Sequence, residues 1–383
     1  MRIAFYAPMK APHHPVPSGD RQIARLFQAA LGAAGHQVEL ASSFRSRDGG
    51  GDRHRQARIR DLGQRLAERL LGRYRRATAE HRPQLWFTYH LYHKAPDWLG
   101  PAVAKGLGIP YVVAEASLAP KQARGPWRVG YEASRTAISA AGAVFNLNPA
   151  DAVCVQSLLG DTRRLVPLKP FLEAAQYAPE AAGAEGRAAM ARRLGLPAAG
   201  TWLITVAMMR PGNKCESYQL LAEALESVAA REWRLIVVGD GPGRSQVEGY
   251  FAGFGPGRVK FTGALAADAL RPLLALSDLF VWPGVREPIG MAMLEAQAAG
   301  LPVVTGRNPG IADIVHDGCT GLLVPSGDVR AFAAAVAGLV EAPAERAALS
   351  ARARRTVLQH HDIAAASATL DRVLSALEAG RWP

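Results

Sequence analysis

Short β-branched or apolar runs alternate with longer amphipathic ones along this chain, and the rhythm starts twice. In the first half RIAFYAP reads as a strand, Arg21 to Gly35 as a helix, and QVELAS as the next strand. LWFTYH, the helix-like PAVAKGLG, YVVAEAS and AVFNLN repeat the unit. Around residues 160–180 the pattern breaks at Pro167, Pro170 and Pro179, as a linker would. TWLITVAMM then restarts it, followed by SYQLLAEALESVAA, RLIVVGDGPG, VKFTGAL, LFVWPG, LPVVTG and GLLVPSG. Parallel strands need long crossovers, and helices supply them, so this repetition predicts α/β layers. The expectation is two facing doubly wound domains, residues 1–170 and 171–383. Ligands of such sheets bind at the carboxyl ends of the strands, here in the cleft between the domains. Ala342–Gly380 is helical in pattern, and its final helix is free to pack back on the first domain.

Composition narrows the class. Hydrophobic residues at 49% and charged residues at 20% suit a globular chain. No apolar run approaches the ~20 residues that cross a bilayer. MRIAFYAPMKAPHHP meets Pro12 and Pro15 too early for a signal peptide and reads as a strand and its loop. Cys154, Cys215 and Cys319 lie far apart without metal-ligand spacing, which predicts a reduced, cytoplasmic protein and no bound metal. The net charge of +12 calls for an anionic partner. From Arg45 to Arg82, twelve arginines face five acidic residues, a local excess of +7. Within 58–76, Ile59, Leu62, Leu66 and Leu70 recur at helical spacing among arginines. That pattern fits a solvated surface helix, or a basic amphipathic helix resting on an anionic membrane face. GGGD at 49–52 reads as a mobile loop before it.

The chemistry concentrates in Ser277–Asp328. LFVWP is a buried strand, the loop to Pro288 lies at its carboxyl end, and GMAMLEAQAA is the following helix. Free backbone N–H groups of Gly290 and Met291 at that helix start would hold a phosphate. Glu287 stands in the loop and Glu295 about a turn and a half into the helix. Upstream, Arg210 and Lys214 fall in the loop after TWLITVAMM, with the next helix starting near Glu216. An arginine fork and a lysine point charge beside a helix start suit a diphosphate.

EPIGMAMLE, with AQAAGLPVV, NPGIADIV and DGCTGLLVPSGD in step after it, resembles the E-x7-E segment of the retaining GT-B glycosyltransferases. The resemblance implies a GT-B fold of two Rossmann-like domains and sugar transfer from a UDP- or GDP-sugar, with retention and without metal or other cofactor. It implies that Glu287 contacts the transferred sugar and Glu295 the ribose. Arg210 and Lys214 resemble the family's R-x-x-x-K pair, which neutralises the leaving diphosphate. VVGDGPG resembles the strand end near the nucleotide base, although Gly239 and Gly241 fit a tight turn without any such role. Ser18–Gly19–Asp20–Arg21 resembles the glycine loop over the donor phosphates. The acceptor implied is a glycan or a lipid-linked molecule of the cell envelope, reached from the cytoplasmic membrane face, with no nucleic acid involved.

The N-terminal half departs from the family at one position. Many relatives carry a histidine after the strand read here as YVVAEAS, where this chain has Ala116. His90, His93 and Glu115 remain as acceptor-side candidates at strand ends. Two other readings stay open from sequence. A GT-B sugar-nucleotide epimerase shares the twin domains, and a basic scaffold for membrane or nucleic acid explains the charge.

Overall fold

The structure, a computed structural model, describes residues 1–16, 18–177 and 183–380. Pro179, read above as part of the linker, lies outside the described residues. The chain forms two compact units, residues 1–169 with 363–383, and residues 170–362.

The first unit is built on a parallel sheet of β1 (Arg2–Tyr6), β2 (Gln37–Ser42), β3 (Leu85–Leu91), β4 (Tyr111–Ala116), β5 (Ala143–Asn146) and β6 (Leu165–Pro167), in the order β2-β1-β3-β4-β5-β6. Pro167 therefore belongs to the edge strand, where a missing N–H costs no ladder bond. Connections run through α1 (Gly19–Ala33), α2 (Arg53–Arg76), α3 (Gly100–Leu107), α4 (Arg128–Ala140) and α5 (Pro149–Leu159). Phe5, Phe87 and Phe145 stack across the sheet with ring centroids 5.8 and 6.2 Å apart, and Phe27 of α1 tilts onto Phe87 at 5.6 Å, anchoring one side of the core. The chain's last helix, α14 (Ile363–Glu378), packs on α1, burying Leu370, Val373 and Leu374. Ser367 Oγ donates to Ala30 O at 2.9 Å, and Gln84 Nε2 to Glu378 Oε1 at 2.8 Å.

Two details of this unit differ from the sequence reading. Helix α2 begins at Arg53, five residues earlier than expected, because Asp52 caps it by accepting from His54 N and Arg55 N. The glycines before it are pinned, since buried Asp48 accepts from Gly50 N, Gly51 N and Gln56 Nε2. The apolar stripe is also spent locally. Leu66 and Leu70 pack on the unit's core, and a Cβ at Gly63 would lie 2.5 Å from Trp98. Only Leu62 among the stripe is exposed.

The second unit repeats the plan. Its sheet is β7 (Thr201–Val206), β8 (Trp233–Val238), β9 (Val259–Gly263), β10 (Leu279–Trp282), β11 (Val303–Gly306) and β12 (Gly321–Val324), in the order β12-β11-β10-β7-β8-β9 and all parallel. Helices α6 (Gly183–Leu194), α7 (Asn213–Ser227), α8 (Arg244–Tyr250), α9 (Ala267–Leu276), α10 (Met291–Ala298), α11 (Pro309–Ala312), α12 (Val329–Glu341) and α13 (Pro343–His360) complete it. Trp202 and Trp233 are fully buried, and Trp282 meets Tyr218 edge-on at 4.9 Å. The two ends of this unit are tied together. Buried His361 Nδ1 lies 2.7 Å from Pro170 O, Leu172 N donates to His361 O, and Ala174 N donates to Asp362.

Candidate active site

Each sheet reverses its strand order once, and at that point neighbouring loops part to leave a crevice. In the second unit the reversal falls between β7 and β10, whose following loops carry Arg210, Glu287 and the start of α10. Helix α7 starts at Asn213 rather than near Glu216, so Lys214 lies in its first turn. Lys214 Nζ donates to Glu287 Oε2, which also accepts from Trp282 Nε1 at 3.2 Å. The ammonium sits 5.4 Å from the Trp282 ring centre. The pair is thus oriented by an indole from the strand below, with the Glu287 side chain 14% exposed and Lys214 32%.

The Glu287 loop is held from three sides. Ser217 Oγ accepts from Val285 N at 3.0 Å, Asn308 Nδ2 donates to Gly284 O at 2.8 Å, and Arg286 pairs with Glu216 at 2.8 Å. Arg286 takes a left-handed backbone, φ 51°, a strained state for a residue with a side chain. Past the loop, Gly290 is the N-cap of α10 with φ 80° and no side-chain cap, so its first N–H groups are available to an anion. Gly239 and Gly241 have a packing role. A Cβ on Gly239 would lie 1.9 Å from Ala207 O, and one on Gly241 2.4 Å from Met209 O. Their bareness lets the loop after β8 bond to the loop carrying Arg210, through Met209 N to Asp240 O and Gly243 N to Met209 O. Arg210 is exposed at the end of that loop.

Glu295 shares α10 with this group, but its carboxylate goes elsewhere. It is 8% exposed and lies close enough to the hydroxyl of Tyr177 to act on it: the Tyr177 pKa is raised by burial and then by the Glu295 charge. Arg271 lies 5.5 Å from the same ring.

In the first unit the reversal falls between β1 and β3. Ser18 caps α1 by accepting from Arg21 N, and a Cβ on Gly19 would meet nothing within 4 Å. Asp20, in the first turn, accepts from His90 Nδ1 at 3.0 Å. Burial is the largest single influence on the Asp20 pKa and would raise it, but the His90 bond, the His90 charge, a backbone hydrogen bond and the Lys10 charge together outweigh it and hold the carboxylate below its ordinary range. His90 answers in kind. Burial disfavours its charge, yet the Asp20 bond and the Asp20 and Glu115 charges hold its pKa above normal.

His90 and Glu115 stand opposite each other on neighbouring strands, between the registered pairs Tyr89–Ala114 and Leu91–Ala116. Both are left-handed, with φ of 58° and 59°. With Arg286 they are the only non-glycine residues of positive φ among those described. Burial pushes the Glu115 carboxyl up to about 7, with Asp151 and Asp20 adding to the effect and His90 opposing it. Its Oε2 is shut off from solvent and has no hydrogen-bond partner among the described residues. His93 does not join this group; its ring packs on Trp127 at 5.8 Å. Ala116 is buried in the core, its methyl far too small to reach where an imidazole would.

The sequence reading passed over Asp20 as a partner, and over Ser217, Trp282, Asn308 and Tyr177. Asp20 carried a signal only as an acidic residue favoured by the helix dipole in a first turn, which does not name His90 as its partner. Trp282 meets Glu287 from the same strand and loop, a local contact, whereas Ser217, Asn308 and Tyr177 depend on which elements become neighbours, which no local pattern records.

Residues 200–342 match the family model described as glycosyl transferases group 1, and that stretch contains Arg210, Lys214, Glu287 and Glu295. The 2-deoxystreptamine glucosyltransferase of Streptomyces kanamyceticus is 30% identical over 290 residues, covering 72% of this chain and 74% of that protein. The chain belongs to the group 1 glycosyltransferases. Other relatives match over less of their length. A sulfoquinovosyl transferase of Arabidopsis thaliana is 38% identical over 118 residues, 30% of this chain and 22% of its own. A GDP-mannose-dependent phosphatidylinositol monomannoside mannosyltransferase of Mycolicibacterium smegmatis is 31% identical over 229 residues, 57% of this chain and 58% of its own. Among solved structures, Anabaena HepE in complex with UDP aligns with TM-score 0.73 at 18% identity over 98% of this chain and all of that one. The sucrose-phosphate synthase of Thermosynechococcus elongatus aligns with TM-score 0.74 at 19% identity over 99% of both chains. At such identities the likeness carries the fold alone, and the fold is GT-B. In this glycosyltransferase, no described helix is long and apolar enough to cross a membrane.

Proposed function

We propose that this glycosyltransferase moves a sugar from a nucleoside diphosphate sugar to an acceptor hydroxyl with retention of configuration. The observation that carries the reading is the Lys214–Glu287 pair, set beside the uncapped start of α10 where the second sheet reverses. In the reaction the bond from C1 to the diphosphate breaks, the acceptor oxygen bonds C1 on the same face, and the acceptor proton leaves with the diphosphate. The transition state carries oxocarbenium character, so catalysis consists of positioning plus neutralising the departing charge. Lys214, Arg210 and the α10 amides neutralise the diphosphate. Glu287 orients the sugar hydroxyls, and Glu295 reaches the ribose by turning from Tyr177. Protein cations do the work that a metal does elsewhere, so transfer is expected to survive EDTA.

The first unit reads the acceptor in this scheme, apart from Gly19, which leaves room for the donor phosphates. His90, held by Asp20, donates to an acceptor oxygen, and the unpartnered Glu115 Oε2 accepts from an acceptor hydroxyl. The acceptor is a glycan or a lipid-linked molecule. The exposed arginines of α2 add attraction to an anionic membrane surface, each worth about 1 kcal/mol near it.

Thermal unfolding against UDP-, GDP-, ADP- and dTDP-sugars tests the donor half, because a ligand of the folded state raises the midpoint. The reading expects a rise with one nucleotide that disappears in Lys214→Ala and Glu295→Ala. No rise with any nucleotide at millimolar concentration would overturn it.

A further inference from the structure

A cavity of about 710 Å³ opens on the first unit where α2, α3 and α4 meet, and none of Gly19, His90, His93 and Glu115 lines it. Its floor is Trp98 and its walls include Ala102, Val129 and Ala133, so the interior is largely apolar. Trp98 Nε1 is closed off from solvent without a hydrogen-bond partner among the described residues. At the mouth stand Arg53 and Arg128, both exposed and neither ion-paired among the described residues. The cavity's two carboxylates leave this charge unopposed. Asp97 is buried and occupied by Thr88, Tyr111 and the amides of Leu99 and Gly100, and Glu132 is paired with Arg135 at 2.9 Å. Along α2 from the mouth, Arg58, Leu62, Arg65 and Arg69 follow at helical spacing, all exposed, and the three arginines have no ion pair among the described residues.

An apolar slot ending in unpaired guanidinium groups has the polarity of an amphiphile: hydrocarbon inside, anion at the rim. A sugar fits it less well, since the polar lining groups Gln64, Glu132 and Thr136 are exposed while Val129 and Ala133 are more buried. A nucleic acid fits no better, because its phosphates would find the arginines while its bases met a largely apolar slot with a single indole to stack on. One hydrocarbon chain alone holds a molecule to a protein or membrane weakly, whereas a chain combined with a basic patch holds it firmly. The structure places the two devices side by side.

We infer that this cavity takes the hydrocarbon chain of a phosphate-bearing lipid, with Arg53 and Arg128 on the phosphate, and so anchors a lipid-linked acceptor to the first unit. The inference rests on the lipid-linked form of the acceptor reading and extends it to a named chain site.

Dodecyl phosphate below its micellar concentration is the probe, followed by thermal unfolding and titration calorimetry on the full chain. Saturable binding is expected, at least tenfold tighter than for dodecyl maltoside and absent for inorganic phosphate. Arg53→Glu with Arg128→Glu should weaken it tenfold or more. Ala133→Trp and, separately, the more exposed Ala102→Trp should abolish it by filling the slot. Each variant is checked for the nucleotide-dependent rise in midpoint, which reports an intact fold and donor site and fails independently if the transferase reading is wrong. Equal binding of dodecyl phosphate by wild type and both tryptophan variants would overturn the proposal. So would equal affinity for the uncharged detergent. Anionic vesicles that recruit wild type and Ala133→Trp alike, without any dodecyl phosphate binding, would reduce the surface to plain electrostatics and overturn it too.

Discussion

Glu115 offers a test whose magnitude follows from the structure. Its carboxyl, ordinarily at 4.5, is pushed up to about 7. The sign follows from counting protons. Between pH 4.5 and 7 the folded chain holds a proton on Glu115 that the unfolded chain has released. Folding therefore takes up a proton in this window, and stability falls as pH rises through it. Below 4.5 both states are protonated and Glu115 costs nothing. Above 7 both are ionised and the full cost of a buried carboxylate is present. A shift of this size corresponds to about 3 kcal/mol. Glu115→Gln keeps the shape and an acceptor oxygen for Leu147 N, but cannot ionise. Relative to wild type, the variant should gain about 3 kcal/mol of stability between pH 4.5 and pH 8. For a unit of this size that is a relative rise in midpoint of roughly 6–12 °C. Urea unfolding of both proteins across that range, followed by a probe in the first unit, gives the difference directly. Other carboxylates cancel because they are common to both. A difference that stays flat with pH would refute the assignment of a neutral-range carboxyl to this position. A gain in stability accompanied by poorer acceptor KM would match the role proposed for Oε2, while unchanged turnover and KM would remove Glu115 from acceptor binding.

Three further outcomes are expected. Lys214→Ala removes the ammonium that the proposed mechanism sets against the leaving diphosphate and should lower kcat about 10²–10³-fold, as loss of one oriented hydrogen-bond donor does elsewhere; a turnover assay that finds less than a threefold effect contradicts its role. Gly241→Ala forces a Cβ to within 2.4 Å of Met209 O at a φ of 154°, so the second unit should lose at least about 2 kcal/mol, read as a lower urea midpoint at constant slope. Ser217→Ala strips Val285 N of its acceptor at a cost of about 1–3 kcal/mol and loosens the Glu287 loop. Turnover should drop while nucleotide affinity changes little, and a loss of affinity at constant turnover would contradict the positioning argument.

Much of this architecture was written in local pattern. The alternation of β-branched runs and helices is enough to give twin parallel sheets, because each strand and its crossover carry their own hydrophobic period. The E-x7-E segment was legible for the same reason: strand, loop and helix start are contiguous, so spacing becomes geometry. What stayed hidden depends on neighbours chosen by the fold. Trp282 meets Glu287 within one loop, yet Ser217 supports that loop only because β10 lies beside β7. His90 looked like a lone strand-end histidine until the β1–β3 pairing set Asp20 against it. The stripe on α2 was visible as a stripe, but period alone cannot say whether core or membrane covers it. Here the core covers Leu66 and Leu70.

The packing of α14 on α1 reaches into the order of synthesis. Residues 170–362, 193 of them, lie between the two stretches of the first unit, so the ribosome makes a complete second unit before the first can close. At about 5–20 residues per second the sheet around β1 and β3 waits roughly 10–40 s for its last helix. During that interval Phe27, Ala30 and Leu31 share a helix whose covering partner has not yet been made. The half of the protein that starts first must finish last, and its exposure to chaperones and proteases is set by the length of the half that interrupts it.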